Sequence, residues 1–358
     1  MSTCSTGVST AILRSPSNTF TLERSMPPSM KEAGIHLDVL FAGLCGTDIQ
    51  IIRGMREESA QILGHEALCA VAAIDPGAKT ELVPGELVII NPTSAEDPTF
   101  LLGHNSPGVF QSRLSIPQRI LDLGQVIPLK EGPTSRLAVL IEPLACVLYS
   151  LSIVRSVGLR RFVIFGDGVI GNLYALMLQR CGYPAADIRV VSRLDFDTIN
   201  PSGIFPDTDT PAGVILATPR DSTLNCLSAA LDEAPPGSLI DVIGGFQPPA
   251  QGPYLRIFET RASNVCGNPS TASTFTLLGG KGELSVTGHR GVSAKHLTAS
   301  AQILKQDPNR FKQLLTHCVS PMAAVRYFNH LSEGGSRNLN DRPLKKLVID
   351  MQMGLVSE

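Results

Sequence analysis

The 358-residue chain contains no tryptophan, and only 5% of its residues are aromatic. A core has to come from aliphatic side chains, and a composition of 43% hydrophobic and 17% charged residues supplies enough of them to exclude a disordered or fibrous class. Charge of one sign is missing too. Thirty Lys and Arg stand against 32 Asp and Glu, a formal charge of -2, and neither sign gathers into a block, so no nucleic-acid partner is expected. No stretch reaches the roughly 18 uninterrupted apolar residues of a membrane span. The first thirty residues are rich in Ser, Thr and Pro and lack the basic start and apolar middle of a signal peptide. The expectation is a soluble, cytoplasmic protein without a membrane partner. The eight cysteines, at 4, 45, 69, 146, 181, 226, 266 and 318, form no C-x-x-C pair and are too sparse for a disulfide framework. There is no internal repeat.

What is present suggests two domains. Between His36 and about Leu121 the apolar runs HLDVLFAGL, ALCAVAAI, ELVIINP and VFQSRLSI are short, β-like and bounded by Gly, Pro or Asp. After Pro133, SRLAVLIEPLACVLYSLSIVRSV has helical spacing. The order then becomes strand RFVIF, helix NLYALMLQRCG, strand IRVV, and further buried runs AGVILAT and SLIDVIGG around a helix from Thr223 to Asp232. Unbroken apolar strands alternating with helices predict an α/β domain with a doubly wound parallel sheet. Helices AKHLTASAQILKQ and SPMAAVRYFNHLSE and a strand KKLVIDM follow, so the tail is expected to rejoin the first domain. The expected division is 1–150, 151–290 and a return over 291–358.

Gly166-Asp-Gly-Val-Ile-Gly171 lies between the RFVIF strand and the next helix, the setting a dinucleotide loop needs. Gly166 allows the tight turn, Gly168 lets a pyrophosphate approach the backbone, and Gly171 lets the helix pack on the strand. Val169 and Ile170 open the helix whose free N–H groups and positive end hold the phosphates. After IRVV the chain has Ser192-Arg193, a hydroxyl and a guanidinium that suit a 2′-phosphate and favour NADP over NAD. The competing expectation is that Asp195 holds an NAD ribose.

Three fragments carry candidate zinc ligands: Leu44-Cys-Gly-Thr-Asp48, Leu63-Gly-His-Glu66 and Ile141-Glu-Pro143. A catalytic zinc takes three protein ligands and keeps one position open, which Cys45, His65 and either Glu66 or Glu142 would satisfy.

With these motifs (C-G-T-D at 45–48, G-H-E at 64–66, E-P-L at 142–144, G-D-G-V-I-G at 166–171, and the tail ELSVTGHRG, LLTH, KLVID) the sequence resembles the zinc-dependent medium-chain dehydrogenase/reductases, from about residue 35 to 350. The resemblance implies a GroES-like catalytic domain built from both chain ends, a Rossmann domain between them, and a cleft where zinc and nicotinamide meet. It implies zinc ligation by Cys45 and His65, with Glu66 on the metal or just behind it. Glu142 stands where classical alcohol dehydrogenases have a third cysteine, and Cys146 is a competing ligand. Thr47 matches the hydroxyl that passes the substrate proton outward, and Asp48 orients a ligand.

Departures are as informative. Residues 91–110 lack the four cysteines of the family's structural-zinc lobe, so one catalytic zinc and no structural zinc is expected. Gln50 replaces a relay histidine of some relatives, and Cys69 replaces a glycine. The stretch Leu194 to Pro211 lacks the helix usual after the second strand. The carboxylate-rich site and the loop His104-Asn105-Ser106 suggest a polyhydroxylated substrate: a sugar, polyol or cyclitol. His289 and Arg290 either contact it or cap the sheet. The resemblance also implies a homodimer or homotetramer, with SLIDVIGG and Phe275 to Leu278 as candidate contacts. The alternatives are a zinc-free quinone reductase of the same superfamily and a cofactor-binding sensor without turnover.

Overall fold

The computed structural model describes residues 9–25, 32–198, 203–205, 209–247 and 251–353. The chain packs as two units, one comprising Met1–Glu142 with Leu297–Glu358 and the other Pro143–His296.

The first unit is organised around the strand Gly34–Gly43, whose Ile35, Leu37 and Val39 point alternately into the core and are fully buried. One edge pairs antiparallel with Glu66–Ile74; the other pairs with Arg113–Pro117 over its first half and with Lys346–Asp350 over its second. Leu315–Val319, Leu87–Ile90 and Val126–Pro128 complete the seven-stranded sheet. The C-terminal strand thus lies directly beside an N-terminal one. A hairpin of Ser9–Arg14 and Phe20–Ser25, in the stretch rich in Ser, Thr and Pro, also joins this unit. It forms because Phe20 packs edge-on against Phe328 of helix Pro321–Ser332, 5.4 Å between centroids, and Phe110 meets the same ring at 5.4 Å.

The second unit holds a six-stranded sheet in the order Phe275–Leu278, Glu283–Gly288, Leu239–Val242, Ala212–Leu216, Arg161–Phe165, Ile188–Val191. Every pairing is parallel except that of Phe275–Leu278. The expected Rossmann sheet is present. From Arg161–Phe165 the chain crosses through helix Val169–Arg180 to Ile188–Val191, then returns to the opposite side at Ala212–Leu216. Arg161–Phe165 therefore ends at a topological switch point, where open α/β sheets bind ligands.

Two expectations need correction. SLIDVIGG cannot offer an edge for subunit contact, because Leu239–Val242 is hydrogen-bonded on both sides; Phe275–Leu278 is the outer strand, with Leu278 83% exposed. A short helix does follow the second strand, Arg193–Thr198, although residues 199–202 and 206–208 of that stretch lie outside the described residues. Helix Pro253–Ser263, with Ile257 as its one buried residue, is a further element that was not anticipated.

The helical run Arg136–Ser156 is long and apolar enough to cross a membrane by length and composition, but 78% of its apolar window is buried within the protein. Its apolarity is accounted for by the core.

Candidate metal centre and dinucleotide loop

Cys45 ends the run after Gly34–Gly43 and stands at the N-cap of helix Gly46–Ile52, with Thr47 and Asp48 in its first turn. Asp48 is fully buried and accepts from the Cys45 N–H at 2.8 Å and the Gly64 N–H at 3.3 Å, while its Oδ1 lies 3.8 Å from His65 Nδ1. One carboxylate therefore fixes the backbone ahead of two candidate ligands. Gly64, at φ 90, makes the turn into His65; a Cβ there would stand 2.5 Å from the Phe110 ring. Glu66 then opens the next strand.

The ligand atoms of Cys45, His65 and Glu66 lie within 4.8 Å of one another. Burial opposes a charge on His65, yet Asp48, Cys45 and Glu142 outweigh it and hold the imidazole pKa well above its usual value. His65 Nδ1 is buried without a hydrogen-bond partner. A thiol, a carboxylate and a buried ring nitrogen lacking a partner are the donor set zinc takes, so the residues fit that metal. Glu142, in the first turn of helix Ile141–Ser156, is half-buried and close enough to act electrostatically on both His65 and Glu66, but it lies outside the compact trio.

One partner of this site escaped the sequence reading. Lys346, 1% exposed, donates through Nζ to Glu66 Oε2. Burial raises the Glu66 pKa, and Lys346 and His65 offset only part of the rise. The only hint in the sequence is a lysine at the head of an otherwise apolar strand.

Of the remaining candidates in the first unit, His104 comes within 5.5 Å of His65, centroid to centroid, and is 5% exposed. Burial first, then His65 and Arg56, pull its pKa down to about 4. Asn105 is turned away to accept from the Leu101 N–H at 2.7 Å. In the second unit His289 is buried edge-on against Tyr149 at 4.6 Å, with its Nδ1 unpartnered and its pKa pulled to about 3 by burial, Arg261 and His296. Arg290 is exposed, and its backbone N–H donates to Asn264 at 3.0 Å.

The glycine loop fits a dinucleotide at each position. Gly166 takes φ 105, and a Cβ there would stand 2.4 Å from the Ala217 carbonyl oxygen. Gly171 sits so close that a Cβ would stand 1.8 Å from the Gly166 carbonyl oxygen. At Gly168 an added Cβ meets nothing within 4 Å, which leaves open the face a pyrophosphate needs, at the N-cap of helix Val169–Arg180.

At the second-strand end, Ser192 and Asp195 are tied to each other. The Ser192 N–H and hydroxyl donate to Asp195 Oδ2 at 2.9 and 2.8 Å, and the Asp195 N–H donates back at 3.2 Å. The pair caps the short helix. The Ser192 hydroxyl is therefore engaged, contrary to the reading that left it for a phosphate. Arg193 is 76% exposed, with Asp197 at 3.8 Å.

A family profile for the alcohol dehydrogenase GroES-like domain matches residues 31–123. A curated relative, 2-dehydro-3-deoxy-L-galactonate 5-dehydrogenase of Pseudoalteromonas atlantica, is 31% identical over 204 residues, 50% of this chain and 57% of that protein. The chain thus matches little more than half the length of this relative. Galactitol-1-phosphate dehydrogenase from Escherichia coli shares the fold with a TM-score of 0.69 at 14% identity, over 96% of this chain and 100% of that one. An alcohol dehydrogenase from E. coli CFT073 complexed with NADH does so at 0.68 and 17%, over 96% and 100%. Residues 31–123 thus match an alcohol dehydrogenase GroES-like domain, and the chain as a whole shares the fold of these dehydrogenase structures.

Proposed function

We propose that the protein is a zinc-dependent oxidoreductase that transfers hydride between a nicotinamide cofactor and the alcohol or ketone of a polyhydroxylated substrate. The observation that carries this reading is the approach of Cys45, His65 and Glu66 to within 4.8 Å in a chain that also has an open Gly168 at its strand-to-helix turn. When bound, zinc would polarise the substrate oxygen, stabilising an alkoxide in oxidation and activating a carbonyl in reduction. Cys45 and His65 hold the metal, and Asp48 keeps both in register. Glu142 is the third ligand in this reading, because Glu66 already shares its charge with Lys346. Thr47 takes the proton from the substrate hydroxyl and passes it outward.

Polyhydroxylated substrates are favoured by the sugar-acid dehydrogenase named among the relatives and by the polar side chains near His65. NADP is favoured by Arg193, which lies open while Asp195 is occupied with Ser192. We further propose one zinc per chain, a homo-oligomer that pairs through the outer strand Phe275–Leu278, and a cytoplasmic location. Metal analysis of purified protein, with turnover of sugar alcohols and sugar acids by both cofactors, tests the reading. Active protein without zinc would overturn it.

A further inference from the structure

His36, Asp75 and Ser115 form a relay in the first unit, where strand Gly34–Gly43 turns His36 away from the buried Ile35 and Leu37. The strands carrying His36 and Ser115 pair antiparallel, with these two residues directly opposite each other. Val39 N–H donates to the Ser112 carbonyl and Gln118 N–H to that of Ala33, both at 3.0 Å. Ladder bonds alternate from those two points, so His36 and Ser115 make one of the close pairs between bonds, whose side chains come near each other. The Ser115 hydroxyl oxygen lies 3.0 Å from His36 Nδ1. On the far side of the ring, His36 Nε2 lies 3.1 Å from Asp75 Oδ1, and Asp75 Oδ2 accepts from the Gly34 N–H at 3.1 Å. That carboxylate is held in place a second time, since the Asp75 N–H donates to the Gly34 carbonyl at 2.9 Å. Side-chain exposures of 21% for His36 and 31% for Asp75, with Ser115 half-buried, keep the relay within reach of solvent.

A carboxylate beside Nε2 draws the proton of a neutral ring to that nitrogen, which leaves the Nδ1 lone pair to accept from the Ser115 hydroxyl. Nucleophile, base and orienting acid then stand in the order that activates a serine. Because the pair with His36 is of the close kind, the Ser115 N–H points away from Gly34–Gly43, toward an edge that no strand pairs among the described residues. It is available to donate to an oxyanion formed beside Oγ. We propose that Ser115 is an acyl-accepting nucleophile, and that the first unit hydrolyses small activated carboxylic esters there without metal or nicotinamide. Ser115 Oγ attacks the ester carbonyl as its proton passes to His36 Nδ1; the bond to the leaving alcohol or phenol breaks, and the proton leaves with it. Water then attacks the acyl-serine and gives a proton to Nδ1, and the carboxylic acid departs as Ser115 takes that proton back. Small esters are the class that three partly covered side chains admit. The strand from His36 to Gly43, which pairs with Glu66, holds this relay roughly 20 Å from the metal ligands, at about 3.3 Å per residue.

The test is hydrolysis of p-nitrophenyl acetate by wild type, Ser115→Ala, His36→Gln, Asp75→Asn and Asp75→Glu, with far-UV circular dichroism of each to confirm folding. A fluorophosphonate probe, followed by peptide mass spectrometry, locates the nucleophile. Wild type is expected to carry the label on Ser115. Ser115→Ala and His36→Gln should each lose hydrolysis on the order of hundredfold. Asp75 acts through the ring as a positioning residue, so Asp75→Asn should slow labelling on the order of tenfold with KM for the ester nearly unchanged, and Asp75→Glu should restore part of the rate. Wild type unlabelled at Ser115, or a Ser115→Ala protein that hydrolyses the ester as wild type does, would overturn the inference. So would hydrolysis that disappears when a chelator strips the metal, because the ester chemistry would then belong to the Cys45 centre. Should His36→Gln fail to fold, Ser115→Ala and the site of the label still decide. Neither readout needs zinc or cofactor, so the outcome is separate from that of the oxidoreductase reading.

Discussion

Lys346 reaches Glu66 across the strand that separates them. The strands carrying the two residues flank Gly34–Gly43 on opposite edges, and the side chains meet over Gly43, where a Cβ would stand 2.6 Å from Glu66 Oε2 and 2.9 Å from Lys346 Cε. A glycine at 43 is thus the steric condition for the ion pair. Both partners are almost fully sealed from water, so neither charge has an alternative partner in solvent.

Removing one member should be costly. Lys346→Met leaves Glu66 buried and unpaired, and should lower stability by about 3–5 kcal/mol, whereas Lys346→Met with Glu66→Gln should recover most of the loss. Denaturant unfolding of the two variants checks this. A double variant as unstable as the single one would show that the lysine acts through packing.

The two carboxylates should separate by readout. Glu142→Gln is expected to lower zinc content with little loss of stability, and Glu66→Gln to lower stability more than zinc affinity. Cys45→Ser should abolish both zinc retention and turnover, because an alcohol replaces a thiolate poorly. Zinc titration and thermal unfolding of each variant decide; Glu66→Gln losing the metal outright would make Glu66 the third ligand.

The fold was readable where the signal is local. RFVIF, G-D-G-V-I-G and the helix after it state their structure within twenty residues, and the Cys45, His65 and Glu66 trio comes from two short motifs on one domain. What could not be read lies in contacts between distant residues. Glu66 and Lys346 are 280 positions apart, Glu58 and His104 are 46, and neither pair leaves a periodic trace. The hairpin at residues 9–25 was hidden for the same reason: Phe20 is buried by Phe328, not by its neighbours.

The glycine loop offers a paired test. Gly171→Ala places a methyl against the Gly166 carbonyl and should destabilise the fold, while Gly168→Ala meets no protein atom and should leave unfolding unchanged. The second variant should still lose cofactor affinity, on the order of tenfold or more, through a methyl where the pyrophosphate lies. Calorimetric titration with NADP and NAD checks it; undiminished affinity in Gly168→Ala would place the phosphates elsewhere.

Cofactor choice should follow Arg193. Arg193→Ala is expected to weaken NADP on the order of tenfold to hundredfold and to leave NAD nearly unchanged, as loss of a charge-assisted phosphate contact requires. Asp195→Ala should uncap helix Arg193–Thr198 without weakening NAD selectively. Equal NADP affinity in wild type and Arg193→Ala would remove the basis for the preference.

Asp241 gives a pH signature. It lies fully buried in strand Leu239–Val242, accepts from the Ser150 hydroxyl, and has its pKa pushed up to about 6 by burial. The folded state therefore binds a proton more tightly than the unfolded chain, so stability falls as pH rises from about 4 to about 6 and stays lower above. Asp241→Asn should remove that fall, with an advantage over wild type that grows to about 3 kcal/mol by pH 8. Unfolding at pH 4 and pH 8 measures it; the same difference at both would mean that Asp241 does not titrate there.

The placement of Lys346–Asp350 against Gly34–Gly43 bears on how the protein is made. Domains commonly fold as they leave the ribosome, in the order of synthesis. Here the second unit, Pro143–His296, is one continuous segment and has all its strands before residue 300 has been added. The first unit begins earlier and finishes later: its central strand keeps one half-edge bare, and Glu66 lacks its cation, until residues 315–350 emerge. From the completion of Gly288 to that of Asp350, then, the nascent chain carries an unfinished sheet ahead of a finished one.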